Sequence, residues 1–534
     1  MLVLQLSITW ETNEQYAHGF LVPILCFYLL LKLQPPSPVE EIKPSFLQGK
    51  TWWLLGIPCL LMLPLIWLVR GANTDWRLLN FVLFGIIFTL TLIPFYDQGG
   101  WRKIKTLLFP LLFFIVAIPW PLATDLQLTQ WFQERVSSII VDILLLLEHE
   151  ASLQGTVIDV GVFGQIGIDQ ACSGINGLQA SIVVTLFFGH YYRFRWLNRI
   201  IIVFCGAIIA IGFNLARAFS LSYIKVKGKG HLLDQHLFSL GNWQFPTLHD
   251  MAGWIETALI FITIFLLARS ARGGLFLRML GNEPNNWSNL KNSPPIAFSL
   301  LLLSSVLTSV VYAEYYFQSK ESKLISLPRL SLKTEDENII SEEKLISNQI
   351  AAQLHYESAR SVLWQERLRT RLNPLNQSRE INPNLEYWQG FEATWETGGA
   401  CTAVLSTHSP DSCLPLTGLT QINPLPGMPP KLIEINVSGR KVSFEAYEFS
   451  RNRRKLFVFR CFWPYLLAAN QINQFPDGGY SLEGRIKASL EGRRNVGGTM
   501  LALALANVDS PQTALAKLQV LANQRLSFGE KEVQ

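Results

Sequence analysis

The stretch "IIIVFCGAIIAIGFNLAR", residues 200–217, decides what kind of protein this is. Asn214 is the polar side chain in an otherwise apolar run, and Arg199 and Arg217 bracket it. About 20 such residues in a helix cross a bilayer core, where a charged group is costly and is pushed to the ends. Working outward, similar runs occur at residues 17–33, 52–69, 79–96, 106–122, 176–192, 252–268 and 295–313, so that about eight spans are expected.

Composition agrees. The chain has 534 residues, of which 49% are hydrophobic and only 16% charged, and its mean hydropathy is +0.24. Soluble domains carry about a quarter charged residues. A net charge of +5 divided into short clusters suits topology control better than nucleic-acid binding, so no nucleic-acid partner is expected. The seven cysteines show no CxxC or other metal-ligand spacing, so no structural zinc site is expected, and nothing else in the sequence implies a metal or an organic cofactor.

Basic loops orient the bundle, because loops rich in Lys and Arg near span ends stay in the cytoplasm. "GGWRKIK" (99–105), "RFRWLNR" (193–199) and Arg269, Arg272 and Arg278 are all inside if the N terminus is outside. Residues 123–175 and 217–251, and all beyond 314, then face outward. Lys225, Lys227 and Lys229 are the contrary signal. "SSIIVDILLLL" (137–147), beside Glu148 and Glu150, reads as an interfacial helix. The expected fold is thus an all-α polytopic bundle in the cell (inner) membrane over residues 1–313. A linker with surface helices (314–384) and an extracytoplasmic α+β domain (385–534) follow. In that domain "KLIEINVSGRKVSFEAYEFSRNRRKLFVFRCFW" alternates like paired strands around Ser438-Gly439, and a helix follows Asp509-Pro511.

Loop charge alone places three polar positions at the outer ends of spans. Cys172, in "IDQACSGINGLQASIV", precedes the span at 176–192; Asn214 and Arg217 end the span at 200–216; His249, in "TLHDMAGW", precedes the span at 252–268. A thiolate is the attacking form of cysteine, a histidine can take and return its proton, and an arginine can hold an oxyanion. Ser173 and the loop N–H groups add donors, while Gly174 and Gly177 would let a peptide approach the backbone. Each residue also has a plainer reading: a packed thiol, a snorkelling arginine, and a surface histidine with His231 and His236 in the same loop. Glu256, one turn into its span, needs a partner: His249, Arg217 or, equally, the water of a vestibule. His18 reads as an entrance residue or an interfacial one.

"ACSGINGLQA", "NLARAFS" and "HDMAGW", with "YAHGFLVPILCFYLLL" at 16–31, resemble the signature blocks of the exosortase/archaeosortase family over roughly residues 10–270. The resemblance implies Cys172 as nucleophile, Arg217 as transition-state stabiliser and His249 as general acid/base of a membrane cysteine protease or transpeptidase. It implies cleavage of C-terminal sorting signals of exported proteins, a Pro-Glu-Pro-like motif before a transmembrane helix, with transfer to a glycan or lipid acceptor. Gln170 stands where an acidic residue is expected, and Asp169 is the substitute. "HSPDSCLPLTG" (408–418), with His408 and Cys413, resembles a block of the extracytoplasmic domain associated with exosortases, here fused to the enzyme. A structural role suits that pair better than a second catalytic one, and one disulfide among Cys401, Cys413 and Cys461 is expected. The alternative function is a non-enzymatic membrane component of exopolysaccharide assembly or export.

Overall fold

A computed structural model describes residues 2–32, 51–73, 76–168, 173–233, 239–240, 243–244, 247–271, 296–333, 339–340, 356–365, 385–397, 409–426, 428–451, 454–468, 482–492 and 496–529. The chain divides into two compact units, Met1–Ile66 with Trp76–Thr308, and Trp67–Asp75 with Ser309–Gln534.

The first unit is built from helices α1 (Leu2–Thr12), α2 (Leu21–Leu31), α4 (Leu78–Leu112), α5 (Leu122–Leu146), α6 (Ile175–Tyr191), α7 (Trp196–Ile224) and α8 (Leu248–Ser270), with the first parts of α3 (Ile57–Ala72) and α9 (Ile296–Glu321). Among the described residues six helical segments are long and apolar enough to cross a membrane: Glu14–Leu31, Trp52–Ala72, Leu78–Asp97, Trp196–Leu232, Leu248–Ser270 and Phe298–Glu321. These make it a multi-pass membrane protein.

Two of the eight expected segments are not among these six. The helix across 106–122 ends at Leu112, tightens into a 3₁₀ turn at Phe113–Ala117 and then stops. Pro119 and Pro121 lack the N–H that would continue it. The segment at 176–192 forms α6, which is only 17 residues long. Gly100 (φ 55°, ψ −150°) breaks α4 at the basic loop. The run at 137–147 is the second half of α5. Its Val136, Ile140 and Leu144 are buried on a small antiparallel sheet (β1 Ser152–Gln154, β2 Val157–Asp159, β3 Gln165–Gly167) and on Ala218 and Val226 near the end of α7. Two of the contrary cations are locally engaged there, Lys225 donating to Gln165 O (2.7 Å) and Lys227 lying over the Tyr223 ring (5.1 Å).

Helices α6, α7 and α8 pack as a triplet because small residues line their contacts. A methyl at Gly206 would lie 2.5 Å from Thr185 Cγ2, and Ala210, Ile260 and Ile264 are buried where the three meet.

The second unit is β-rich. Strands β4 (Ile339–Ile340), β5 (Ser358–Trp364), β6 (Tyr387–Thr397), β7 (Thr420–Asn423), β8 (Lys431–Val437), β9 (Arg440–Arg451), β10 (Arg454–Pro464) and β11 (Val496–Ala506) form one antiparallel sheet. Its order is β7-β9-β10-β11-β6-β5-β4, with β8 pairing the first half of β9. Ser438 (φ 47°) and Gly439 (φ 83°) make the two-residue turn between β8 and β9, whose register fixes Val437 opposite Arg440. Alternation along β11 sends Leu501, Leu503 and Leu505 to the face covered by α11 (Pro511–Arg525), which follows α10 (Leu482–Glu491). Ala514, Leu518, Leu521 and Ala522 of α11 fill that core, and the Ser510 hydroxyl caps the helix by accepting from Thr513 N (3.1 Å).

Residues 314–384, expected as a linker with surface helices, instead supply β5 to this sheet and the strand Leu330–Leu332, which pairs with Leu526–Phe528. Arg360 of β5 is ion-paired with buried Glu392 (2.6 Å), so the polar composition of the segment conceals a paired strand.

Candidate active site

Cys172 and Asp169 lie outside the described residues, but the chain on either side of them is fixed. Ile168 N–H donates to Thr156 O (3.1 Å), and Ile168 O accepts from Gln133 Nε2 (3.1 Å), tying that end to β2 and α5. Ser173, directly after Cys172, is buried, and its hydroxyl accepts from Ile175 N–H (3.3 Å) at the start of α6.

Gly174 is the N-cap of α6 and holds φ 85°, a left-handed conformation open to glycine at little cost. It also faces α7: a methyl there would lie 2.6 Å from Asn214 Nδ2. At Gly177 a methyl would meet Ile260 Cδ1 at 3.1 Å and Glu256 Oε1 at 3.5 Å on α8. The expectation that these two glycines open the backbone to a peptide is therefore corrected. Both are occupied by neighbouring helices, and they let the three helix ends come together.

One turn along α7 from Asn214, Arg217 donates from Nη1 to Glu256 Oε2 of α8 at 3.2 Å. Both side chains are almost fully buried, 10% and 7% exposed. Of the two partners weighed for Glu256, the ion pair is with Arg217. The guanidinium lies flat against Gly253, where a methyl would sit 3.3 Å from Nη2 and 3.4 Å from Cζ. Side chains three and four residues apart share a helix face, so His249, Gly253 and Glu256 form one stripe on α8.

His249 occupies the first turn of α8, partly exposed. Its backbone N–H donates to Leu233 O (3.4 Å), and its Nδ1 is 3.9 Å from Asp250 Oδ1. That turn is locked by a capping box in which Thr247 Oγ1 accepts from Asp250 N–H (3.2 Å) and Asp250 Oδ2 accepts from Thr247 N–H (3.1 Å). The structure thus joins Ser173, Gly174, Asn214, Arg217, Glu256 and the turn bearing His249 at one end of the α6–α8 triplet. This end combines a buried cation, a carboxylate that orients it and an imidazole one turn away.

His18 belongs to a different contact. In the 3₁₀ turn Glu14–Phe20 its Nε2–H donates to Val116 O (3.1 Å), beside a buried pair, Arg77–Asp125 (2.7 Å), that also receives Gln15 Nε2–H (2.6 Å). Asn176 and Gln179 were missed from the sequence. Both Gln179 amide atoms and Asn176 Oδ1 are buried with no hydrogen-bond partner among the described residues. Their i, i+3 spacing in "INGLQ" was the available signal.

Residues 10–266 match the transmembrane exosortase family. This membrane region is an exosortase-family domain. Searches of the curated proteins and of the solved structures gave no match. The exosortase match spans α2 to α8 and so includes every residue of the stripe just described.

In the second unit His408 and Cys401 lie outside the described residues. Cys413 ends a one-turn helix, Pro410–Cys413, and Gly418 (φ 87°) closes the following 3₁₀ turn, which accounts for a glycine at that place. Leu414 and Leu419 pack under Tyr447 and Phe449 of β9. Burial, with Asp411 nearby, pushes the Cys413 thiol up to about 11. Such a thiol is no nucleophile at neutral pH. Burial in the sheet raises that of Cys461 as well. Both are thiols and are not bridged to each other, which corrects that member of the expected disulfide set.

Proposed function

We propose that the protein is a cysteine protease or transpeptidase of the exosortase type, acting at the extracytoplasmic face of the cell (inner) membrane on C-terminal sorting signals of exported proteins. The observation that carries this reading is the seating of the Arg217 guanidinium on Gly253, one turn from His249, with Asn214 of the same helix against Gly174, two residues after Cys172.

In the proposed reaction His249 takes the Cys172 thiol proton, and the thiolate attacks the scissile carbonyl. Arg217, held by Glu256, steadies the oxyanion of the tetrahedral intermediate in a site largely shielded from water. Collapse breaks the C–N bond, His249 returns the proton to the leaving amine, and an acyl-Cys172 thioester remains. Water, or a hydroxyl or amine of a glycan or lipid acceptor, then releases the acyl group. Asp169, Asn214, Ser173 and Gly174 are positioning residues in this scheme, and the C-terminal unit is a fused accessory domain on the same side.

Cys172→Ala and Cys172→Ser test it in vesicles that hold the full chain and a substrate ending in a Pro-Glu-Pro-like motif, a transmembrane helix and a basic tail. Processing is expected to stop in both while insertion and melting are unchanged. Unaltered processing sinks the proposal and leaves the non-enzymatic role in exopolysaccharide assembly or export.

A further inference from the structure

Helix α6 carries two unlike stripes. Gly177 and Thr185 face α8 and α7, where a methyl on Gly177 would meet Ile260 Cδ1 and one on Gly206 would meet Thr185 Cγ2. On the far side Asn176, Gln179, Val183 and Leu186 follow one another at spacings of three and four residues. Val183 and Leu186 pack there in one core with Trp10, Tyr16, Val22 and Phe113.

Gln179 interrupts that apolar stripe. It is 4% exposed, and neither its Oε1 nor its Nε2, nor Oδ1 of Asn176 one turn earlier, has a hydrogen-bond partner among the described residues. A buried amide left unpaired is costly, so its presence points to something that binds it. The 3₁₀ turn Glu14–Phe20 packs on α6 at this level: Tyr28 of α2 lies against Phe187 (6.2 Å), and Gln179 comes eight residues before Phe187. The side chains of the turn are engaged elsewhere, His18 with Val116 O and Gln15 with Asp125. Four residues from Ile175, Gln179 lies about 6 Å inward of the start of α6.

We infer that Gln179 and Asn176 bind the main chain of the sorting signal where its transmembrane helix gives way to the extended proline-containing motif. The inference rests on the proposed function for the identity of this ligand. At membrane depth, backbone that is not helical needs partners from protein. The first N–H groups of the signal's helix have no acceptor within it, and Oδ1 of Asn176 and Oε1 of Gln179 are acceptors. Carbonyls facing a proline lose their helical donor, and Nε2 of Gln179 is a donor. Gln179 presents one of each whichever way its amide is turned. A phosphate or carboxylate brings no donor and would meet two oxygens, and an acyl chain would leave all three atoms unpaired.

The full Cys172→Ala chain is reconstituted in vesicles with a peptide that carries a Pro-Glu-Pro-like motif, a transmembrane helix and a basic tail, and association is read by energy transfer between labels. Adding Gln179→Met, which keeps the length and removes the amide, should weaken association by about tenfold or more, at about fivefold for each neutral hydrogen bond lost. Melting should not fall, because the amide removed has no partner in the free chain; a glutamine with a structural role would lower melting and leave affinity alone. Replacing single N–H groups in the first turn of the peptide helix by ester oxygens should weaken binding at one or two positions, and cost nothing further there once Gln179 is methionine. Unchanged affinity in the methionine variant, ester losses that persist in full beside it, or, with Cys172 restored, a change only in transfer to a glycan acceptor would each overturn the inference. Processing by the unaltered chain tests the catalytic reading separately, since these affinities are read without Cys172.

Discussion

The Arg217 guanidinium rests on the bare backbone of Gly253 and is held there by Glu256, three residues further along α8. A cation with both a carboxylate partner and a glycine seat is fixed in two directions. Rigid placement of this kind is what an oxyanion-stabilising group requires.

Gly253→Ala isolates the seat from the helix. Gly253 lies inside α8, so alanine should favour the helix by about 1 kcal/mol. Its methyl would nevertheless press on Nη2 at 3.3 Å and displace the guanidinium. Processing of the sorting signal should fall by at least about tenfold while the melting temperature holds or rises. A full-activity alanine variant would show that the seat does not matter.

Glu256→Ala leaves a buried guanidinium without its carboxylate. Truncating one member of a buried pair costs about 3–5 kcal/mol, so the melting temperature should drop clearly. Glu256→Gln keeps the shape and one acceptor oxygen. It should melt close to the parent yet process more slowly, and the split between turnover and stability in the two variants is the readout.

Gly174→Ala combines two costs, a methyl 2.6 Å from Asn214 Nδ2 and a left-handed φ of 85°. Left-handed backbone alone costs a non-glycine residue about 1 kcal/mol or more. Stability and processing should fall together. Gly212→Ala on α7, with nothing within 4 Å of the added methyl, is the control and should change neither.

For Cys413 the prediction concerns pH. Its folded thiol is raised to about 11 from an ordinary value near 9, so the folded state holds this proton more tightly than the unfolded chain. Its contribution to stability is complete below about pH 9 and is lost as pH rises toward 11. Alkylation of Cys413 should therefore be slow at pH 7 and accelerate over that window. Rapid labelling at pH 7 in the folded chain would contradict the burial that sets the shift.

Much of this site was legible because each block is local. "NLAR" places Asn214 and Arg217 one turn apart, "HDMAG" places His249 four residues before Gly253, and loop charge assigns both blocks to one end of the bundle. The Arg217–Glu256 choice was not legible, since His249, Arg217 or a water-filled vestibule each satisfied the need of a buried carboxylate for a partner. Nor was the strand at 358–364, whose mixed polar sequence reads as linker until Arg360 is seen paired across the sheet with Glu392.

By itself the sequence determined that the chain crosses the membrane several times and ends in a strand-rich unit. Hydropathy and period-2 alternation act over tens of residues and need no partner to be read. It also determined which side chains could do thiol chemistry. Tertiary structure decided which residues touch: that Gly174 and Gly177 seat neighbouring helices, that Glu256 holds Arg217, and that α6 reaches only 17 residues. Those outcomes depend on how close three helices can pack, and close packing is a property of facing surfaces that no single segment carries.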